Sequence, residues 1–277
     1  MNAPFNPTLT DRELRWLRHI AVHGPQSSEF LLELCADTHS CQDTGKRTLK
    51  KLRDLGYLRL PPQQDHIAKA DFNPHVYDLT RRAQMHLSGL GDPDTVPPTG
   101  HWWHAFLTAS LTSAVEIEAQ RKGYRYIPAH HILNRANATL AIPHGKAKLI
   151  PDQLFALNYG GKFRSFVLEV DRGTEPYASK SARKSLRRMI EVYADLTAKD
   201  AIRRHYGLKS PLLILMVFTN PTRAAKCLEL VSQIASTLAP VVLVQSVKAE
   251  MPRLSTMKKL TETTWQRCKF EQFDLFV

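Results

Sequence analysis

An unbroken apolar run of eight residues, PLLILMVF at 211–218, constrains the fold of this chain more than any other feature. The run is too short to span a bilayer, and its length and composition are typical of a β-strand that is buried on both faces. Such a strand requires neighbouring strands at its edges and helices on both sides of the sheet. We therefore predict an α/β fold for this part of the chain.

The residues around this run predict a mixed sheet flanked by helices. A tight turn at 158–161 joins the two strands of a hairpin, and a basic helical segment separates that hairpin from the apolar strand. The predicted elements are a helix at 101–121, strands at 124–127, 148–157 and 162–171, a helix at 177–206, the apolar strand at 211–219, a helix at 221–238 and a strand at 241–247.

A segment rich in proline and glycine divides the chain. Residues 89–100 contain three prolines and three glycines, a composition that continues neither a helix nor a sheet. The 277 residues are enough for two domains of ordinary size. We expect a first domain at 1–90, a linker at 91–100 and a second domain at 101–277.

The chain is strongly basic, with 38 Lys and Arg residues against 26 Asp and Glu residues and a formal net charge of +12. This excess favours an anionic partner. Because the basic residues do not lie opposite a lipid-ready amphipathic face, we expect nucleic acid and no membrane partner. The chain has only four cysteines and lacks a secretory pattern in its first residues, so we expect a cytoplasmic protein with free thiols.

The first 90 residues show three helical segments followed by two short strands. Thr10 is expected to cap the first helix, Gly56 to end the third and Thr80 to cap a last one. This order is that of a winged helix-turn-helix, and TGKRTLKKLRDLGYL and VYDLTRRAQ resemble the recognition helix and wing strands of that family. Basic side chains of the third helix are then expected to contact double-stranded DNA, unless they form only a solvated face. These side chains are Lys46, Arg47, Lys50, Lys51 and Arg53.

Three carboxylates fall at the ends of the predicted hairpin strands. Glu169 and Asp171 are two residues apart on one strand, so they point to the same face of the sheet. Asp152 lies on the neighbouring strand and is expected to join them. Converging carboxylates repel one another, and Mg²⁺ or Mn²⁺ would relieve that repulsion. The hairpin therefore predicts a divalent metal site that can activate water beside a phosphodiester.

The same residues carry a family resemblance. The order of elements, with IPD followed by LEVDRGTE, resembles the restriction-endonuclease-like PD-(D/E)xK superfamily. PDQLFAL followed by FVLEVDRGTE is similar to the replication-relaxation family of plasmid and mobile-element proteins, which join a winged helix to this core. The architecture also resembles that of mobilisation relaxases with a nuclease fold. The resemblance implies metal-dependent, site- and strand-specific nicking of DNA.

The resemblance also implies roles for individual residues. Asp152 and Glu169 match the metal-binding acids, and the carbonyl of Val170 would be a further ligand. The family's lysine is absent, because Asp171 occupies its position. Lys180 or Lys184 could provide the cation that stabilises the transition state.

Further candidates lie on the helices on either side of the hairpin. Glu116 or Glu118 on the first helix could add a metal contact. Basic residues of the helix after the hairpin are expected to contact DNA phosphates, with a solvated face as the alternative. They include Arg183, Arg187 and Arg188. His101 and His104 are expected to be packing residues rather than ligands, since no carboxylate lies near them in the sequence.

Together these features predict a DNA endonuclease, specifically a nickase or relaxase that acts in replication or mobilisation of a plasmid or other mobile element. Its partner would be double-stranded DNA at an origin or nick site. A homodimer and contacts with conjugation or replication proteins remain open. The missing lysine motivates the alternative of a catalytically inactive DNA-binding accessory or regulator at an origin.

Overall fold

The computed structural model describes residues 8–39, 41–66, 74–173, 185–248 and 250–276. Its contacts divide the chain into two units, Met1–Pro97 and Pro98–Val277. The division falls inside the segment that is rich in proline and glycine.

The first unit contains three helices followed by a β-hairpin, as the sequence predicts. Its three-stranded antiparallel sheet has the order β1-β3-β2. The strand β1 was not predicted, because a strand of two residues has no detectable alternation. The elements are α1 (Asp11–His23), β1 (Gln26–Ser27), α2 (Ser28–Leu34), α3 (Gln42–Asp54), β2 (Leu58–Arg59), β3 (Val76–Leu79) and α4 (Arg81–Gly89).

Local signals set the helix ends of this unit. Thr10 and Glu13 form a reciprocal capping box at the start of α1, which confirms the predicted N-cap. Gly56 follows α3 with φ of +76°, a left-handed conformation that favours glycine. The Thr80 hydroxyl accepts a hydrogen bond from the amide of Ala83 and caps α4.

The second unit is built on a five-stranded mixed sheet of order β10-β9-β8-β7-β4, which confirms the predicted α/β fold class. The apolar strand β9 runs parallel to both of its neighbours, whereas β7 is antiparallel to β8 and β4. The first elements are α5 (Trp102–Arg121), β4 (Arg125–Pro128), α6 (Ala129–Ala136), β5 (Ile142–His144), β6 (Ala147–Leu149), β7 (Gln153–Asn158) and β8 (Phe163–Asp171). The others are α7 (Leu186–Ala198), α8 (Ala201–His205), β9 (Leu212–Phe218), α9 (Pro221–Ile234), β10 (Val242–Ser246) and α10 (Leu254–Glu262).

Helix α5 is buried on all sides, which differs from the amphipathic helix that the sequence predicts. Every residue from 105 to 115 is buried. The helix can be buried because its polar residues are small and their hydroxyls bond to the preceding turn, as Ser110 Oγ does to the Phe106 carbonyl at 2.8 Å. It packs on the sheet face that carries Phe155 and Leu168, with α10 beside it.

Three predicted boundaries were wrong. The expected strand at 148–157 is two strands, β6 and β7, and the break falls at Pro151, which cannot donate to a sheet ladder. The expected helix at 177–206 is interrupted at Asp200, which has φ of +49°. Helix α9 ends at Ile234 instead of continuing to 238. Helix α6 was not predicted.

The sequence predicted no membrane partner and free thiols, and the structure bears on both predictions. Among the helices that the structure describes, none combines the length and apolar character that a bilayer span requires. All four cysteines are free, and Cys41 alone of them is exposed.

Glu13 is a buried acid that joins α1 to α3. Its side chain is 2% exposed and lies 3.0 Å from the Lys51 ammonium. Burial by itself raises the pKa of Glu13, but hydrogen bonds from Thr10 and the charge of Lys51 outweigh it and lower the pKa overall. The ionised form of Glu13 therefore stabilises the folded first unit above the unfolded-state pKa, and this stabilisation is lost as pH falls through the lowered folded-state pKa.

We predict that Glu13→Gln destabilises the first unit by about 2 kcal/mol at pH 7, because charged hydrogen bonds to a buried group are lost. The difference from the wild type should shrink as pH falls below about 4.5, the ordinary value for this carboxyl. Hydrogen exchange of the α1 amides in the full chain, compared at equal pH, measures both effects. Asp54→Asn, which alters an exposed ion pair with Lys50, is the matched control and should change exchange little. A difference that does not depend on pH would contradict the prediction.

Candidate metal and DNA site

The antiparallel register of β7 and β8 determines where the acidic residues lie. Gln153 pairs with Leu168, and the amide of Asp152 donates to the Leu168 carbonyl at 3.0 Å. Asp152 is therefore beside Glu169. Because side chains alternate along a strand, Glu169 and Asp171 occupy the same face of β8.

These residues line one cavity of about 250 Å³ at the end of β8. Met189, Met216 and Phe218 form its apolar wall. Its polar lining consists of His101, His104, Asp152, Glu169, Asp171 and Arg172, together with Val170. The cavity thus brings together Asp152, Glu169, Val170 and Asp171 of the predicted site.

Asp152 is held at both carboxylate oxygens. Its Oδ2 accepts a hydrogen bond from the Val170 amide at 2.7 Å, and its Oδ1 lies 2.8 Å from Nε2 of His104. His104 is in the first turn of α5, the helix that opens the second unit. The side chain of Asp152 remains 15% exposed, towards the cavity.

Glu169 is buried, at 4% exposure, and has a different donor. The hydroxyl of Tyr193 on α7 donates to its Oε1 at 2.5 Å. Burial, followed by the charge of Glu169, raises the pKa of Tyr193 well above its ordinary value, so the hydroxyl stays protonated and donates. No three His, Asp and Glu ligand atoms of the described cavity lining lie within 4.8 Å of one another. The two acids thus have different hydrogen-bond donors.

Asp171 is paired with a nearly buried arginine. Its Oδ2 accepts from Nε of Arg223 at 3.1 Å and also from a terminal nitrogen of that guanidinium, and its Oδ1 accepts from the Gly173 amide at 2.6 Å. Both partners of the ion pair are nearly buried. These bonds tie the end of β8 to α9 and to the turn that follows, and the part of Asp171 in the predicted site stays a prediction.

Other predicted site residues lie elsewhere. Glu116 is three turns further along α5, about 18 Å from His104 along the helix axis, and is not part of the cavity lining. Lys180, Lys184 and Arg183 lie outside the described residues. The described lining of the cavity contains arginine but no lysine.

The predicted DNA-contacting residues are mostly exposed. Lys46, Arg47 and Lys50 lie on the outer face of α3, whose buried face carries Leu49 and Leu52. Lys51 instead pairs with the buried Glu13 of α1. Arg187 and Arg188 are exposed in the first turn of α7, the helix that carries Met189 into the cavity.

Sequence reasoning missed the side chains that pair with the three acids, and it assigned one of them, His104, to packing. His104 contacts Asp152, although the two are 48 positions apart in sequence, so proximity along the chain was the wrong criterion. Tyr193 and Arg223 could not be paired with their acids before the sheet order was known. A useful signal was available for His104 alone, namely a histidine in the first turn of the helix that opens the domain.

A family model described as replication-relaxation matches residues 17–212, well over half of the chain. The chain belongs to the replication-relaxation family. No curated protein matches the sequence of this replication-relaxation protein significantly.

Two solved structures have a low similarity to this replication-relaxation protein. An XisH family protein from Nostoc punctiforme PCC 73102 is 15% identical, with a TM-score of 0.27, and the match covers 50% of this chain and 91% of that chain. The SdaI restriction endonuclease is 12% identical, with a TM-score of 0.22 and 88% of each chain covered. TM-scores this low establish neither a shared fold nor a shared function.

We predict that Arg223→Met lowers the melting temperature of the second unit by about 10 °C, because it leaves the nearly buried Asp171 carboxylate without its cation. The double variant Asp171→Asn with Arg223→Met removes that uncompensated charge and should recover most of the loss. Thermal unfolding of the full chain followed by circular dichroism measures both. A double variant as unstable as the single one would show that the ion pair is not the cause.

Proposed function

We propose that this replication-relaxation protein is a metal-dependent DNA endonuclease with a PD-(D/E)xK core, acting as a site- and strand-specific nickase or relaxase in replication or mobilisation of a plasmid or other mobile element. The observation that carries the proposal is the shared cavity of Asp152 and Glu169, which reach it from adjacent strands. The family membership of the chain and its net charge of +12 agree with a DNA substrate.

The donor set fits Mg²⁺ or Mn²⁺. Two carboxylates, those of Asp152 and Glu169, line the same cavity, and carboxylate oxygens are ligands that both ions prefer. Asp152 and Glu169 would hold the ion, with the Val170 carbonyl as a further candidate. When bound, such an ion lowers the pKa of water and neutralises charge on a phosphodiester.

The protein's own groups orient the site before DNA arrives. The Val170 amide and His104 fix the Asp152 carboxylate, and Tyr193 fixes that of Glu169. Arg172 lines the cavity and is suited to bind a phosphate oxygen near the position of the missing family lysine. Lys180 and Lys184 remain proposals for the cation that stabilises the transition state.

DNA recognition is assigned to the first unit. Its three helices followed by two paired strands support the proposal of a winged helix, in which α3 would be the recognition helix. Lys46, Arg47 and Lys50 present exposed cations on that helix. Arg187 and Arg188 would hold the phosphate backbone close to the cavity.

A second function is favoured by one observation. The family's lysine position holds Asp171, which is engaged with Arg223, and the described lining of the cavity contains no lysine. A protein with this site could bind an origin without cutting it. In that case the chain would be a DNA-binding accessory or regulator.

We predict that the purified protein nicks supercoiled plasmid carrying the origin of its own element when Mn²⁺ or Mg²⁺ is present. Asp152→Asn and Glu169→Gln should each reduce the nicking rate at least about 100-fold, because several kcal/mol of transition-state stabilisation are lost. Asp195→Asn is the matched control, since this acid lies on α7 but pairs at the surface with His144 and Lys199. Nicking that persists in both site variants would refute the assignment. Binding of the origin without nicking under any metal condition would support the second function.

We predict that replacing Lys46, Arg47 and Lys50 together by Ala weakens duplex binding and reduces the slope of log affinity against log salt by about 2 to 3. Fluorescence polarisation with duplex DNA between 100 and 300 mM salt measures the slope. The matched control removes the same charge from exposed lysines outside the cavity lining, namely Lys162, Lys209 and Lys259. An equal loss of slope in the control would show that α3 is not the DNA contact.

A further inference from the structure

We propose that His104 is a third protein ligand of the metal site and makes the site prefer a first-row transition ion, with Mn²⁺ as the probe, over Mg²⁺. The inference rests on the proposed function, because it takes Asp152 and Glu169 as the carboxylate ligands. It adds a nitrogen ligand, and with it a choice between the two ions, to that site.

The distance between His104 and Asp152 suits two ligands of one ion. Nε2 of His104 lies 2.8 Å from Oδ1 of Asp152. Adjacent ligand atoms around an octahedral ion, each bound at about 2.1 Å, lie about 3 Å apart. An ion can therefore bind these two atoms with little movement of either side chain. The Glu169 carboxylate has to move towards them to complete the set, because no three ligand atoms of the described lining lie within 4.8 Å of one another.

Helix α5 holds the histidine in place. His104 lies in the first turn of a helix whose residues 105–115 are all buried, so its backbone has little freedom. The flanking aromatics pack against one another, with Trp102 stacked on Phe106 at a centroid distance of 5.2 Å. The imidazole is 22% exposed and faces the cavity that Glu169 also lines. A ligand on such a rigid helix loses little conformational entropy when it binds an ion.

The identity of the donor determines the selectivity. Mg²⁺ prefers oxygen ligands and gives up its water reluctantly, whereas imidazole binds first-row transition ions well. One imidazole with two carboxylates therefore favours a transition ion. A site with the two carboxylates alone would discriminate less.

The other role open to His104 is that of a hydrogen-bond donor that only positions Asp152. His104→Gln separates the two roles, because the amide retains a donor for Asp152 but removes the imidazole nitrogen. His144→Gln is the matched control. That histidine also contacts an aspartate, Asp195, at 3.1 Å, but on a separate hairpin and outside the cavity lining.

The experiment measures metal binding by the full chain without DNA. Titration calorimetry gives the affinities for Mn²⁺ and Mg²⁺, and pulsed electron paramagnetic resonance detects ¹⁴N coupling from an imidazole bound to Mn²⁺. We expect wild type and His144→Gln to bind Mn²⁺ at least about tenfold more tightly than Mg²⁺ and to show the ¹⁴N coupling. We expect His104→Gln to lose the coupling and about tenfold in Mn²⁺ affinity while its Mg²⁺ affinity changes less than about threefold. Circular dichroism checks that each variant is folded.

The outcomes distinguish this inference from the proposed function. If Asp152→Asn abolishes binding of both ions but His104→Gln keeps the ¹⁴N coupling and the preference for Mn²⁺, the role of His104 is refuted and the carboxylate site stands. If His101→Gln loses the ¹⁴N coupling and His104→Gln keeps it, the nitrogen ligand is His101, the other histidine of the cavity, and the inference is also overturned. If Asp152→Asn leaves the binding of both ions unchanged, the metal site of the proposed function fails with it.

Discussion

The register between β7 and β8 is the constraint on which the site depends. The Asp152 amide donates a hydrogen bond to the Leu168 carbonyl at 3.0 Å. This bond continues the contact between the two strands to the residue that precedes β7. A slip of one residue would turn every side chain of one strand to the opposite face and separate Asp152 from Glu169. On its other edge β8 pairs in parallel with the apolar strand β9. The end of β8 therefore lies between β7 and β9, and both strands hold it in position.

Electrostatics explains how two acids share one cavity. Carboxylates repel each other in a poorly solvated site, and each of these has its own neutral or polarised donor. The Val170 amide and His104 serve Asp152, and Tyr193 serves Glu169. The third acid, Asp171, is neutralised by Arg223 and ties β8 to α9. The three carboxylates line one cavity, but each has different partners.

Much of the fold was predictable from the sequence because its signals are local. The apolar run at 211–218, the Thr10 cap and Gly56 each report on a few neighbouring residues, and the structure confirms them. Helix α5 was misjudged, since small Ser and Thr residues satisfy their own hydroxyls and can be buried. The family resemblance was confirmed as well.

The candidate site was predictable only in part. Its acids follow from strand alternation, whereas the partners of those acids depend on tertiary contacts. His104 approaches Asp152, and Lys51 turns to Glu13, because of helix packing that no short sequence window contains. The roles of all these residues in metal or DNA binding remain predictions.

The separate donors of Asp152 and Glu169 determine whether the chain needs a bound cation in order to fold. Domains whose ligands have no other partners stay unfolded until a cation arrives. Here the amide of Val170 and the phenol of Tyr193 already satisfy the acids, so the chain can acquire its native form in a medium without free cations. Under the proposed function, the supply of the ion would then determine when the folded protein becomes active, independently of its synthesis.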